Sequence, residues 1–313
     1  MTATLAPAGH RIRARRVRFD WDATPLHWIS GDAQTTHTVN VLHLLLPEGE
    51  RWFVEVIRQA LDRIEDPELA DQVKGFIGQE SVHSRAHAAV LDHLAEQQVD
   101  LTRVLAEIEW LFRGLLADRP LGRRLPRAAQ RRWLDLRLAM IAAIEHFTGV
   151  LGAWVIDSPG LDAAGADPVM LDLIRWHGAE EVEHRAVAWD LFDHVNGSYL
   201  YRALAMAAVA PAITLLWIRG TRELIRRDPS NPPRPSWRAL RRAGREGRLP
   251  TVGAIARTVP GWFRPGYSPL EIASTADALA YLATSPAATA AAAAASAGTP
   301  ATTTATEEPP CPD

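Results

Sequence analysis

The chain has 313 residues, 47% hydrophobic and 23% charged, the balance of an ordinary soluble globular protein with length for a sizeable core. A net charge of −3 gives no field that would draw nucleic acid. The single cysteine, Cys311, excludes an intramolecular disulfide and fits a reducing, cytoplasmic compartment.

Residues 1–33 read as an irregular arm. It is basic at Arg11, Arg13, Arg15, Arg16 and Arg18, and it lacks the apolar stretch of an export signal. Residues 34–198 read as a metal-binding bundle of four long helices near 47–64, 68–95, 128–156 and 168–195. Whether the first reaches back through His37 depends on Pro47, which marks either a kink or a fresh start. Leu101 to Ala117 has the pattern of a separate amphipathic helix. A long crossover at that place is what a bundle needs when its second and third helices run parallel. Residues 199–284 form a hydrophobic and arginine-rich helical extension, with fragments near 236–246, 250–258 and 269–283. Residues 285–313 are an Ala, Thr and Pro tail expected to be disordered.

Two motifs dominate the chain, Glu80-Ser-Val-His83 and Glu181-Val-Glu-His184. On a helix, a carboxylate and an imidazole three residues apart point into one volume. A lone glutamate precedes each motif, Glu50 before the first and Glu145 before the second. The order Glu, Glu-x-x-His, Glu, Glu-x-x-His is the donor set of a di-iron or di-manganese centre inside a four-helix bundle.

Helix phase supports that reading. Val73, Phe76, His83, His87, Leu91 and Leu94 fall within about 60° of Glu80. Met170, Ile174, His177, His184 and Phe192 accompany Glu181, while Leu138, Ile141 and Thr148 flank Glu145, and Phe53, Val54, Ile57 and Leu61 flank Glu50. Phase sets aside Glu55, which faces solvent. It also places Glu180 and Glu183 off the stripe centre and makes His146 a flanking residue. A single Glu-x-x-His is common, and a lone histidine on an apolar face is usually a hydrogen-bonded core residue. Four buried glutamates on four helices are another matter, because desolvating each carboxylate costs several kcal/mol unless a cation is present.

The expected ligands are therefore Glu50, Glu80, His83, Glu145, Glu181 and His184, with Glu80 and Glu181 bridging and Glu50 and Glu145 terminal. His87 and His177 lie one turn away as extra ligands or, preferably, as groups hydrogen-bonded behind them. His43 joins them only if the first helix is continuous across Pro47. A mixed oxygen and nitrogen set suits two divalent ions, iron first and manganese next, better than zinc.

The segments Leu46-Pro-Glu-Gly-Glu-Arg-Trp-Phe53, Gly75-Phe-Ile-Gly-Gln-Glu-Ser-Val-His83, Ile144-Glu-His-Phe-Thr148 and Trp176-His-Gly-Ala-Glu-Glu-Val-Glu-His184 resemble the bacterial family of predicted metal-dependent hydrolases, over residues 15–280. The ligand pattern also resembles the ferritin-like di-iron carboxylate proteins. That resemblance implies an all-α, ferritin-like four-helix bundle with a crossover helix and a C-terminal helical extension. It also implies that the six glutamates and histidines above are ligands.

Three functions follow from such a site. The first is an oxidase or oxygenase that activates dioxygen with an external electron donor and acts on a small hydrophobic or acyl substrate, as the ferritin-like resemblance implies. The second is a metal-dependent hydrolase using a metal-bridging hydroxide. The third is a non-catalytic metal-binding protein. The oxidative reading is preferred on the carboxylate-rich donors, although ligand identity does not separate it from hydrolysis. All four tyrosines lie outside the bundle helices, which argues against a stored tyrosyl radical.

Ala203 to Ile218 is uncharged over 16 residues, short of the roughly 20 that span a bilayer. A fifth core helix is the preferred reading. The alternatives are an interfacial membrane contact and the wall of a tunnel for a lipid-like substrate. The arginines that follow, together with Trp217, Trp237 and Trp262, point to peripheral membrane contact through 203–264.

Overall fold

The computed structural model describes residues 10–297. Among them the structure is all-α, as the periodicity predicts, and its one extended contact is an isolated bridge between Ile29 and Ala166. Residues 10–32 are irregular apart from turns.

Helix α1 (Ala33–Arg58) starts at Asp32, whose carboxylate accepts from the Thr35 N–H at 3.0 Å. It runs unbroken through Pro47, so the helix begins well before the position expected from that proline. Pro47 removes one helical donor. Its own carbonyl accepts from Arg51 Nε and Ser84 Oγ, both at 2.8 Å, which ties this turn to the next helix. Helix α2 (Pro67–Glu96) begins at an Asp66 cap with proline in its first turn. The crossover is α3 (Thr102–Glu109), continued by a π-helical turn over Trp110–Leu115. Helix α4 (Arg127–Ile156) and the short α5 (Pro159–Ala163) precede α6 (Pro168–His184) and α7 (Val187–Val195).

The fourth long helix is thus two helices, broken after His184. The buried Arg185 guanidinium causes the break: it donates to the Val182 carbonyl of its own helix. It also donates to the carbonyls of Pro269 and Ala273 at 3.1 and 2.8 Å, and to Thr275 Oγ1 at 2.9 Å. One side chain therefore ends α6 and fastens the C-terminal extension to it.

The contacts fix helix directions. His43 meets His87 and Pro47 meets Ser84, so α1 and α2 are antiparallel. Gln79 meets His184, His83 meets Glu180 and His87 meets His177, so α2 and α6 are antiparallel. Glu145 meets His184 and Gly152 meets Gly178, so α4 and α6 are antiparallel as well. It follows that α2 and α4 run parallel, and the α3 crossover provides the return. At Gly152 a Cβ would lie 2.3 Å from the Gly178 carbonyl oxygen. Both glycines are used for close helix packing.

The extension comprises α8 (Tyr199–Arg227), α9 (Trp237–Arg245), α10 (Val252–Ala256), α11 (Val259–Trp262), α12 (Thr275–Leu282) and α13 (Pro286–Ala297). The expected disorder of the tail does not extend to Pro286–Ala297, whose alanines form a helix with strong intrinsic propensity. The remainder of that tail, and the start of the arm, lie outside the described residues. Helix α8 lies against α1 and α4 and buries Ala205, Met206, Val209, Leu224 and Ile225. Its opposite face leaves Leu200, Leu204, Leu215 and Ile218 exposed, so it is a half-covered helix rather than a core one. Of the three tryptophans that suggested an interface, Trp262 is buried and Trp217 donates to the Thr38 carbonyl; Trp237 alone is exposed. Among the described residues two helices, α4 and α8, are long and apolar enough to cross a membrane, and the bent pair α12 and α13 would make a third span if taken as one. The apolar surface of α4 is largely covered by the bundle, whereas only 22% of the corresponding stretch of α8 is buried.

Candidate metal centre

The four long helices each deliver one glutamate to a single interior volume: Glu50 from α1, Glu80 from α2, Glu145 from α4 and Glu181 from α6. All four are buried, as are His83, His177 and His184. Their donor atoms form two groups, Glu50 with His83, His177 and Glu181, and Glu80 with Glu145, Glu181 and His184. Within each group one donor atom per residue lies within 4.8 Å of every other. Glu181 belongs to both groups, the placement of a bridging carboxylate. Glu80 sits with the second group, its carboxylate 3.2 Å from His184 Nε2 and 3.8 Å from His83 Nδ1.

His177 stands closer to the centre than its sequence position implied, its Nε2 2.8 Å from Glu181 and 3.5 Å from Glu50. His87 lies behind it, joined at 3.0 Å to His177 Nδ1. Because α1 is continuous across Pro47, His43 completes the row, 2.7 Å from His87 Nδ1. The three imidazoles form a buried chain ending at Glu181. Burial pushes all three below the ordinary histidine range, His43 to about 3, with neighbouring imidazoles adding to the effect.

The imidazoles of the two motifs are oriented from behind. His184 Nδ1 donates to Gln79 Oε1 at 2.9 Å, which turns Nε2 toward Glu80, Glu145 and Glu181. Burial opposes the imidazolium, but Glu181 and Glu145 outweigh it and hold this ring well above the ordinary histidine range, so a metal at Nε2 would take the place of a proton. His83 Nε2 donates to Glu180 at 2.8 Å, which leaves Nδ1 facing the centre. Carboxylates and amides behind a histidine fix its tautomer in this way at metal sites. Glu180 and Glu183, which helix phase places off the stripe, therefore lie directly behind the ligand positions.

The amino-terminal arm completes this layer. Arg15 Nη1 reaches Glu180 and Glu183, both at 2.8 Å, and His10 lies 2.8 Å from Glu183. Gln79 Nε2 also donates to Glu183 at 2.6 Å, so one amide links Glu183 to His184. The arm fits closely because α2 has glycine where the two meet: a Cβ at Gly75 would sit 2.3 Å from the Ile12 carbonyl oxygen. An arginine in an irregular arm gives no periodic signal, so the pattern of the chain does not reveal this role. The spacing Gln79, His83 on α2 opposite Glu180, His184 on α6 does contain it.

Nine atoms at this centre are buried without a hydrogen-bond partner: both carboxylate oxygens of Glu50, Glu80 and Glu145, Glu181 Oε2, His83 Nδ1 and His184 Nε2. Buried polar atoms are ordinarily paired, and so many orphaned acceptors converging on one volume are what a cation site presents. The electrostatics agree. Burial, then repulsion by the neighbouring carboxylates, pushes Glu50 and Glu80 well above the usual carboxylate range and Glu145 to about 7. Burial opposes the ionised form of Glu181 too, but His184 and His177 outweigh it and hold this carboxylate well below the usual range. The donors thus fit two divalent ions, whose four positive charges balance four carboxylates.

His146 points elsewhere, to Tyr267 Oη at 2.8 Å and Thr258 Oγ1 at 3.0 Å in the extension. Thr148 returns its hydroxyl to the Glu145 carbonyl at 3.3 Å and Ser84 donates to Pro47, so neither is poised as a nucleophile. No curated protein and no solved structure gives a significant match to the chain. The family model described as "predicted metal-dependent hydrolase" matches residues 13–273, which takes in the arm, the four glutamate-bearing helices and most of the extension, and the chain belongs to that family.

Proposed function

We propose that the protein is a hydrolase acting at a dinuclear metal centre of ferritin-like type, held by Glu50, Glu80, His83, Glu145, Glu181 and His184 with His177 as a seventh donor. The observation that carries this reading is the convergence of nine unpartnered buried acceptors between two donor groups that share Glu181. The family description favours hydrolysis over the oxidative chemistry that the carboxylate-rich donor set first suggested. Iron, then manganese, suits these donors. Two such ions supply Lewis acidity toward a substrate oxygen and a nucleophilic water at neutral pH.

The chain's own residues do the rest. Glu181 spans the two donor groups and sets their separation. Gln79 and Glu180 hold His184 and His83 in the tautomers that face the centre. Phe76 packs against the His184 ring at 4.6 Å and Trp176 against that of His83 at 5.0 Å, and both shield the donors from bulk water. Water is the nucleophile this site supports, since no serine or cysteine among the described residues is hydrogen-bonded to a histidine of the centre.

The substrate proposed is a small molecule with a hydrophobic or acyl portion. The exposed apolar face of α8, with Arg219, Arg222 and Arg226 at its end, is proposed to rest on an anionic membrane from the cytoplasmic side. The deciding experiment incubates the iron- or manganese-loaded protein with panels of acyl esters, amides and phosphoesters, beside Glu181→Gln. Hydrolysis that depends on metal and is lost in the variant is expected. Dioxygen consumption with a reductant and a hydrophobic substrate, without hydrolysis of any panel member, would return the site to oxidative chemistry and require an electron donor as partner.

A further inference from the structure

A separate set of donors lies at the end of the bundle where the arm, the start of α1 and the end of α8 meet. His27 belongs to the arm, His37 to the second turn of α1, and Asp228 caps α8. Nε2 of each imidazole converges on one oxygen, Asp228 Oδ2, at 2.6 Å from His27 and 2.8 Å from His37. The rings are nearly perpendicular, with centroids 5.7 Å apart, so they approach that oxygen from different directions. The other carboxylate oxygen, Oδ1, accepts from the Ser230 N–H at 2.8 Å and the Ser230 hydroxyl at 2.7 Å. Those two bonds fix the carboxylate plane and leave Oδ2 to the histidines.

We propose that His27, His37 and Asp228 form a mononuclear zinc site, distinct from the dinuclear centre, that pins the amino-terminal arm to both helix ends. Two imidazoles and a monodentate carboxylate are a donor set for tetrahedral zinc, with water as the fourth ligand. Metal–donor distances of about 2.0 Å put tetrahedral donors roughly 3.3 Å apart, so each imidazole nitrogen needs to draw back from Oδ2 by only about 0.5–0.7 Å to admit the ion. The side chains of His37 and Asp228 are fully buried, whereas His27 retains 26% exposure. The fourth ligand and the path by which the ion arrives lie on that open side. Burial also disfavours the imidazolium form of His37, and the neutral form is the one a metal requires. Hydrogen bonds alone could hold the same three side chains. Nδ1 of His37 lacks a partner in either state and does not choose between them.

Zinc and cobalt binding to the full-length protein choose. In wild type, the dinuclear centre is filled first and zinc is then titrated; one further equivalent per chain is expected, with a rise in Tm. Cobalt in its place should give the intense visible absorption of a tetrahedral ion. His27→Gln, at the exposed edge and harmless to the core, should weaken this binding about 100-fold, and Asp228→Asn should do the same. A Glu80→Ala, Glu181→Ala variant should lose the bundle metals yet keep this zinc, which separates the two sites. Equal zinc stoichiometry and equal cobalt spectra in wild type and in folded His27→Gln would overturn the proposal and leave the cluster a hydrogen-bonded latch.

Discussion

Glu181 is the residue on which the centre turns, because it alone belongs to both donor groups. Glu181→Gln keeps the shape and removes the charge, so the variant should retain its helical spectrum and lose both metals on dialysis. Metal analysis checks this. Glu180 acts one step further out, through His83, and Glu180→Gln should lower metal affinity by about 10–100-fold without abolishing binding. The metal-free protein should also show a pH signature. Glu145, raised to about 7 by burial and then by Glu181, keeps its proton on folding and must surrender it as pH rises, so its contribution to stability is lost between about pH 4.5 and about pH 7. For this fully buried group the loss is on the order of 3 kcal/mol by the top of that range. Glu50 and Glu80, raised further, extend the loss to higher pH. His83, raised to about 9, acts in the same direction. The lowered values of His43, His87 and His177 penalise folding below their unfolded value near 6.5 and contribute nothing above it. Tm of the metal-free protein should therefore fall between about pH 6.5 and pH 8 as Glu50, Glu80 and His83 lose their protons; added metal should flatten that slope, and Glu145→Gln should remove only the part of the fall complete by about pH 7. A flat Tm in metal-free wild type would contradict this account of the carboxylates.

Two elements carry predictions of their own. The α4/α6 crossing is set by Gly152 against Gly178, where a Cβ would meet backbone rather than a yielding side chain. Gly152→Ala should cost about 1–3 kcal/mol in denaturant unfolding and loosen the second donor group, since Glu145 and His184 flank that crossing. Helix α8 presents a different problem, an apolar stripe from Leu200 to Ile218 that nothing among the described residues covers. With anionic vesicles at low salt the protein should co-sediment, less so as salt rises, and Leu204→Glu with Leu215→Glu should keep it in the supernatant. A wild-type protein that stays in the supernatant throughout, as a dimer that the same variant splits, would assign the stripe to a second copy of the chain. The sequence showed this helix as uncharged but not how much of it is covered. Half-burial depends on how α8 lies against α1 and α4, and such distant packing leaves no mark on local periodicity.

At the scale of the molecule, the metals and the fold support each other. Saturating two divalent ions at 100 times their dissociation constants should stabilise the protein by about 2.7 kcal/mol per independent site, and a chelator should reverse the Tm shift. The six expected donors could be placed from the chain alone because helical phase makes a buried carboxylate conspicuous against Val73, Phe76 or Ile141. The parallel run of α2 and α4 is read from the long connection between them, which leaves room for a crossover. What stayed hidden had a common cause. The choice of His177 over His87 beside the centre, the break after His184, the arm's hold on Glu180 and the packing of Gly152 all depend on contacts between segments far apart in sequence. Pro47 left the start of α1 open for a related reason: the tie from Ser84, on another helix, to its carbonyl is not visible in local sequence.

The docking of His10 and Arg15 behind the centre has a consequence for how the protein is made. His10 and Arg15 bind Glu180 and Glu183, which are synthesised about 170 residues after them, so the arm cannot settle until α6 has emerged. Until then His83 and His184 lack part of their outer support and the bundle is open on that side. A metal ion that enters before the arm docks would meet the open side of the bundle, and docking of the arm would close that side behind it.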